Sequence, residues 1–184
     1  ARWRTHHSVH RNGDLYPTHG IGPIAHCINI NRGNRFVNIS SFSSKARGLH
    51  NHIVQKCGAD HPNAKINFKL GDVVTTNIGC ANGETILLQH DTNLPRPYSL
   101  GFRVQGTNGL WMDVAKGVHI EGQSKPHKWD EAKTWFDKYD HPLWARWSKE
   151  TEGAGHGGMD FFVIHSFVES IKRNTATPMD VYDA

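Results

Sequence analysis

A tyrosine and a histidine three residues apart, Tyr16 and His19, are the pair in this sequence best suited to proton transfer. A histidine exchanges protons near neutral pH, and a tyrosine donates a hydrogen bond or acts as a base when its pKa is lowered. Pro17 and Thr18 separate the two, and a periodic apolar segment follows them. The spacing also fits a tyrosine that packs on a helix and a histidine that caps it, so both interpretations stay open.

The apolar segment predicts a helix that would support this pair. Four residues recur at helical spacing and indicate one buried stripe: Ile21, Ile24, Ala25 and Ile28. We predict that the helix begins near His19, that the Thr18 hydroxyl caps it, and that Pro23 lies in or near its first turn. Residues 31–34, Asn-Arg-Gly-Asn, would end it because Asn and Gly tolerate a left-handed backbone.

The chain has fourteen histidines, which raises the question of a metal site. His6, His7 and His10 lie close together in the sequence. However, no carboxylate accompanies them at ligand spacing, and the chain has no H-E-x-x-H helix. We therefore predict no metal site.

The segment Gly153–Gly158 matches the G-x-G-x-x-G pattern of dinucleotide-binding loops. In those folds the loop follows a buried strand, which aims the N–H groups of the next helix at the pyrophosphate. The preceding residues, 145–152, are polar and helical in character. We expect no cofactor at this loop, and instead a glycine-rich hinge that presents His156 beside a substrate.

Carboxylates and tryptophans are common in sugar-processing sites. A conventional glycosidase uses a pair of carboxylates; Asp14, Asp91 and Asp113 are candidates, and nothing in the sequence separates them. Aromatic rings can stack on sugars, but four of the six tryptophans lie in one helical segment and are predicted to pack there. Trp3, beside Arg4, is the tryptophan best placed for a role in a site.

Composition narrows the class of protein. The 184 residues suit one ordinary domain, and the net charge of +4 is scattered without a basic run, so we predict no nucleic-acid partner. No apolar run approaches the roughly 18 residues of a membrane span, so we predict no membrane segment. Three cysteines without C-x-x-C spacing argue against a disulfide framework and leave the cellular compartment open.

The remaining patterns predict further helices and strands. In chain order they are an irregular or short extended lead over 1–12, a strand over 36–42, a helix over 48–57, an antiparallel meander over 72–122, a helical segment over 128–148 broken at 141–142, and a helix over 159–171. The inner face of the last helix is predicted to be Phe161, Ile164, Val168 and Ile171. Two prolines would stiffen loop 93–98, which presents Tyr98.

These elements favour an α+β fold, with a mainly antiparallel open sheet and helices packed on one face. The other face would be available for oligomerisation, so we expect a homo-oligomer. The sequence does not begin with Met, and Asp180 resembles the cap of a further helix. We therefore expect these residues to be a piece of a longer protein.

Three stretches carry a family resemblance: GDLYPTHGIGPIAHCININRGNRF, LPRPYSLGFRVQGTNG and GHGGMDFFV. They resemble the C-terminal domain of glycoside hydrolase family 109, whose members are NAD-dependent α-N-acetylgalactosaminidases related to the Gfo/Idh/MocA oxidoreductases. The resemblance implies a single C-terminal domain over 1–184 for substrate binding and oligomerisation. It also implies that NAD is bound mainly by an N-terminal Rossmann domain that this sequence lacks.

The resemblance further implies a redox-assisted hydrolysis of terminal α-N-acetylgalactosamine, by oxidation at C3, elimination at C1, addition of water and return of the hydride. The positions that match the family's substrate pocket are Arg4, Tyr16, Pro17, Thr18, His19 and Tyr98. His19 would exchange the proton of the sugar hydroxyl, Arg4 and Tyr98 would hydrogen-bond the sugar, and Tyr16 would line the pocket near the nicotinamide.

The tyrosine that takes the C2 proton in this family matches a position before residue 1, so we expect the isolated chain to be inactive. Two alternatives stay open. One is a sugar dehydrogenase of the same superfamily, and the other is a non-catalytic carbohydrate-binding domain.

Overall fold

The computed structural model describes residues 2–183, which form two compact units. The first runs to Pro97 and includes the chain from Tyr182 onward, and the second is Tyr98–Val181. Each unit has its own antiparallel sheet. The predicted α+β class is therefore confirmed, but the strands form two sheets rather than one continuous meander, because residues 92–102 contain no strand.

The described part of the first unit combines three α-helices with a three-stranded sheet. Its elements are α1 (Arg2–His10), α2 (Thr18–Cys27), β1 (Phe36–Ser43), α3 (Gly48–Cys57), a 3-10 turn at Pro62–Lys65, β2 (Val73–Cys80) and β3 (Thr85–Asp91). The strand order is β1-β2-β3. The predicted bounds of α3 and the predicted strand at β1 are confirmed.

Alternate residues of β2 form part of the core of the first unit. Every second residue of β2 is buried, and Ile78 faces Ile86 across the β2–β3 pair. These isoleucines pack in one cluster with Ala25 of α2, against which the isoleucines of the predicted α2 stripe are half-buried. The 3.6-residue period of α2 and the two-residue period of β2 thus meet in a single apolar layer.

The start of α2 differs in detail from the prediction. Pro17 occupies the cap position without a side-chain hydrogen bond, and Thr18 is the first helical residue, so the predicted Thr18 cap is wrong. The Pro17 carbonyl accepts hydrogen bonds from the N–H groups of Gly20 and Ile21 at 3.1 and 2.9 Å. Pro23 lies inside the helix rather than in its first turn.

The predicted irregular lead over residues 1–12 is wrong, because α1 occupies most of it. The segment contains no Gly or Pro before Gly13, but it also lacks an apolar stripe, so periodicity gave no helical signal. Ser8 is buried, and its carbonyl accepts hydrogen bonds from the N–H groups of Lys69 and Leu70 at 3.1 and 3.0 Å. Tertiary hydrogen bonds thus anchor a polar helix.

The second unit contains a sheet of four short strands and three α-helices. Its elements are β4 (Arg103–Gln105), β5 (Gly109–Met112), β6 (Gly117–Ile120), β7 (Asp130–Glu131), α4 (Ala132–Tyr139), α5 (Pro142–Trp147), a 3-10 turn at His156–Gly158 and α6 (Met159–Arg173). The strand order is β4-β5-β6-β7. The predicted break at 141–142 is confirmed, and His141 caps α5 by accepting a hydrogen bond from the Leu143 N–H.

The predicted helix at α6 is confirmed, but its predicted inner face is wrong at three of four residues, since only Phe161 is half-buried. Ile164, Val168 and Ile171 are exposed. The contacts of α6 are aromatic instead: Phe162 meets Trp144 edge-on, with ring centroids 4.7 Å apart. Ring packing therefore decides which side of α6 is covered, and Trp144 has the packing role that was predicted.

Much of the sheet in the first unit remains accessible. All residues of β1 are exposed, including Ile39 and Phe42, and so is Leu87 of β3. Homo-oligomerisation through an open sheet face stays a prediction. None of the helices in residues 2–183 has the length and hydropathy needed to span a bilayer.

Candidate functional site

The turn before α2 brings Tyr16 and His19 together. The Tyr16 hydroxyl lies 3.4 Å from Nε2 of His19, which makes a long hydrogen bond. Their rings stack with centroids 4.3 Å apart and planes inclined by 28°. Both side chains are exposed, and His19 lies in the first turn of α2, at the positive end of its dipole. The pair can therefore pass a proton to or from a ligand that approaches from solvent.

Arg4 joins this pair from α1. Its guanidinium carbon lies 5.8 Å from the centroid of the Tyr16 ring and 5.2 Å from that of Trp3. Cation–π attraction at these distances holds the guanidinium over aromatic faces and leaves its N–H groups available to a ligand. The three predicted residues that the structure brings together are thus Arg4, Tyr16 and His19.

Arg4 and Tyr16 line a cavity of about 640 Å³ in the first unit. This volume is within the range of about 300 to 1,000 Å³ that is typical of small-molecule sites. The wall combines apolar and polar groups, among them Trp3, Phe68, His52, His90 and Asn93. Such a mixture suits a sugar, which has an apolar ring face and a rim of hydroxyl groups. Trp3 therefore lies where the sequence predicted a site tryptophan.

His7 adds an unsatisfied polar atom to this wall. Its Nδ1 is buried and has no hydrogen-bond partner among the described residues. A buried polar atom without a partner is unfavourable unless a ligand or an ordered water satisfies it. Sequence reasoning placed His7 only in a possible metal cluster, and no local signal pointed to the cavity.

The structure separates the three candidate aspartates. Asp14 is half-buried and pairs with His90, its Oδ1 lying 3.0 Å from Nδ1 of that ring. Asp91 pairs with Arg96 at 3.4 Å, and Asp113 accepts a hydrogen bond from the Gly101 N–H at 3.2 Å. Asp14 is therefore the aspartate linked to the Tyr16 turn. Sequence reasoning missed His90, although it falls on the buried side of the β3 alternation.

Pro17 and Thr18 complete the turn mainly through the backbone. Both are exposed, and neither lines the 640 Å³ cavity. Pro17 ends the turn with a helical backbone and, through its carbonyl, starts α2. Substrate contact by Pro17 and Thr18 stays a prediction.

Tyr98 and His156 belong to the second unit. Tyr98 is 88% exposed in a segment without regular structure. His156 has a positive φ of 53°, and its Nδ1 lies 2.8 and 3.0 Å from the two carboxylate oxygens of Asp160. The imidazole of His156 is thereby oriented on an exposed glycine-rich turn. Substrate contact by either residue stays a prediction.

The loop at 153–158 follows α5 and a turn rather than a strand, which is the context expected from the polar residues before it. Within residues 2–183, His, Cys, Asp and Glu side chains form no group of three suited to a metal ion. His6 and His10 do approach each other on α1, with ring centroids 4.5 Å apart.

Comparison with known proteins identifies the family of this chain. The family model for the glycosyl hydrolase 109 C-terminal domain matches residues 1–184. The chain belongs to this family. It is 60% identical to an α-N-acetylgalactosaminidase of Tannerella forsythia over 100% of this chain and 39% of that protein.

Two further relatives agree with the glycosyl hydrolase 109 assignment. A glycosyl hydrolase family 109 protein of Stenotrophomonas maltophilia is 63% identical over 100% of this chain and 41% of its own length. An α-N-acetylgalactosaminidase of Shewanella oneidensis is 44% identical over 98% of this chain and 40% of its own length. The chain thus spans about two-fifths of the length of these relatives.

Proposed function

We propose that this glycosyl hydrolase 109 chain is the substrate-binding domain of an enzyme that removes terminal α-N-acetylgalactosamine from glycans. The observation that carries the proposal is that Arg4 and Tyr16 line a sugar-sized cavity while the Tyr16 hydroxyl contacts His19 just outside the lining. The 60% identity to an α-N-acetylgalactosaminidase supports the choice of sugar.

We infer that the enzyme also needs an N-terminal Rossmann domain, with residues 1–184 acting as its C-terminal domain. The relatives are more than twice as long as this chain, which leaves room for such a domain. Loop 153–158 does not suit a dinucleotide, because no strand leads into it. NAD⁺, when bound by the Rossmann domain, would supply the acceptor for the hydride from C3 of the sugar.

His19 is the proposed proton acceptor for the C3 hydroxyl group. Loss of the C3 hydride requires loss of the hydroxyl proton, and an exposed imidazole can take that proton and return it later. The Tyr16 hydroxyl, 3.4 Å from Nε2 of His19, would orient the ring. A ketone at C3 would acidify the C2 proton; a base outside residues 1–184 would take that proton, the C1 substituent would leave by elimination, and water would add in its place. Return of the hydride to C3 and of the proton from His19 to the C3 oxygen would leave no net oxidation.

Arg4 is the proposed anchor for the sugar. A guanidinium donates several hydrogen bonds in a fixed plane, which suits the hydroxyl and acetamido oxygens of N-acetylgalactosamine. The orphaned Nδ1 of His7 would find a partner in the same cavity. Tyr98 and His156 are retained as proposed sugar-binding residues of the second unit. An exposed sheet face bearing Phe42 is the proposed surface for homo-oligomerisation.

The test replaces His19 with Ala in the two-domain enzyme loaded with NAD⁺, using p-nitrophenyl α-N-acetylgalactosaminide as substrate. We expect turnover to fall by about 10²- to 10⁴-fold, as is typical for the loss of a general acid–base group, while sugar binding is retained. His26→Ala is the matched control, because His26 is an exposed histidine at the other end of α2. Unchanged turnover in His19→Ala would exclude the catalytic assignment.

The reaction products distinguish the proposed hydrolase from the alternative, a sugar dehydrogenase. Release of p-nitrophenol without accumulation of NADH supports the hydrolase, whereas stoichiometric NADH supports a sugar dehydrogenase.

The carbohydrate-binding alternative has one favourable observation: a second hollow of about 490 Å³ lies in the second unit and is lined by Trp129 and His119. Full sugar affinity in a Trp129→Ala variant would remove that support.

A further inference from the structure

We propose that His90 is a positioning residue that fixes the Tyr16 turn through the carboxylate of Asp14. This inference rests on the proposed function, since it concerns the placement of Tyr16 in that site. His90 lies on β3, whereas Asp14 and Tyr16 precede α2. A tether between them would couple the sheet of the first unit to the reacting groups.

One oxygen of Asp14 makes both contacts of the tether. Oδ1 accepts a hydrogen bond from the backbone N–H of Tyr16 at 2.7 Å and lies 3.0 Å from Nδ1 of His90. An ionised carboxylate only accepts hydrogen bonds, so Nδ1 of His90 is the donor. The Tyr16 backbone is therefore linked to β3 through a single atom.

The contact between His90 and Asp14 is the shielded half of this tether. The side chains of His90 and Asp14 are 8% and 10% exposed, so water has little access to the bond between them. His90 faces the almost fully buried Val74 across the β2–β3 pair. Its second nitrogen, Nε2, lies 3.2 Å from Oγ1 of Thr92. Both ring nitrogens are thus engaged, and the ring cannot flip without breaking a contact.

Stability alone does not explain a buried polar pair at this position. Removing histidine and aspartate from water is unfavourable, and apolar side chains of similar volume are often as stable or more stable. What the pair adds is a defined backbone position for Tyr16, whose side chain is exposed and meets His19 through a long hydrogen bond. A displacement of about 1 Å in a reacting group can lower a rate by about 100-fold.

Paired substitutions at His90 and Asp14 test the proposed tether. His90→Asn keeps an amide N–H near the position of Nδ1, whereas His90→Gln moves the amide to the position of Nε2. Asp14→Asn keeps the Oδ1 acceptor, whereas Asp14→Ala removes it. We therefore expect the two Asn variants to keep the tether and the Gln and Ala variants to lose it.

The first readout is turnover by the NAD⁺-loaded two-domain enzyme on p-nitrophenyl α-N-acetylgalactosaminide. We expect kcat to fall by about 10- to 100-fold in His90→Gln and Asp14→Ala, and by less than about 3-fold in the Asn variants. In a Tyr16→Phe background, His90→Gln should have little further effect, because the group that it positions is already gone. Equal losses in His90→Asn and His90→Gln, or full additivity with Tyr16→Phe, would overturn the proposal.

The second readout is hydrogen exchange in the same enzyme, followed by mass spectrometry on the peptide that contains Tyr16. His90→Gln should speed exchange at the turn by about 10-fold or more, and His90→Asn should not. This measurement needs no turnover. If the enzyme fails to cleave the glycoside, the proposed function fails while the exchange still tests the tether, and unchanged exchange in His90→Gln refutes the tether itself.

Discussion

Asp72→Asn should destabilise the first unit by removing half of a buried helix cap. The carboxylate of Asp72 accepts hydrogen bonds from the backbone N–H groups of Arg47 and Gly48, each at 2.8 Å and each to a different oxygen. Asp72 is 6% exposed and caps α3 from a distant part of the chain. The helix matters for the site because Leu49 and His52 of α3 line the 640 Å³ cavity.

The expected loss follows from the two oxygens. Asparagine has one acceptor, so one buried N–H would face an NH₂ group, which costs about 1 to 3 kcal/mol. Loss of the negative charge at the positive end of α3 adds about 0.3 to 1 kcal/mol. We therefore expect Asp72→Asn to lower the free energy of unfolding by about 1 to 4 kcal/mol, the larger part coming from the unsatisfied donor.

Urea unfolding of the chain, followed by circular dichroism, measures this loss. Asp60→Asn is the matched control, because Asp60 is exposed in the same unit, and it should shift the free energy of unfolding by less than about 0.5 kcal/mol. A parallel thermal scan should show a fall in Tm of about 3 to 16 °C for Asp72→Asn. A loss below about 0.5 kcal/mol for Asp72→Asn would show that the cap contributes no net stability and would refute the reasoning.

Two further predictions concern close packing and thiol chemistry. Gly48→Ala should strongly destabilise the first unit, because an added Cβ would lie 2.1 Å from the carbonyl oxygen of Asn93, and thermal unfolding checks this. Burial, with a smaller contribution from the charge of Glu84, raises the pKa of the Cys80 thiol above its usual value, so disulfide-exchange labelling should modify the other two cysteines first. Folding disfavours the Cys80 thiolate, so the free energy of unfolding should fall as the pH rises above about 8.5. Denaturation at pH 7 and at pH 9.5 tests this prediction.

The local elements could be predicted because their signals are short-ranged. The stripe Ile21, Ile24, Ala25 and Ile28 repeats at the helical period, and those residues do face the core. The bounds of α3 follow from Gly48 and Gly58, which stand at its two ends. In each case a few neighbouring residues contain the whole pattern.

The proximity of two of the predicted site residues could also be read from a short stretch of sequence. Tyr16 and His19 lie in one short motif, so their proximity follows from local geometry. Arg4 is different, because its approach to Tyr16 depends on α1, a helix without an apolar stripe. The resemblance matched Arg4 to the family pocket, but the sequence did not predict its contact with Tyr16.

By itself, the sequence determined where most helices and strands lie, since backbone periodicity and capping residues act over three or four positions. The tertiary structure alone decided that the strands form two sheets, that aromatic packing turns Ile164 and Ile171 outward, and that His90 reaches Asp14. Contacts between residues far apart in the chain depend on which surfaces become buried together, and no spacing along the chain encodes that.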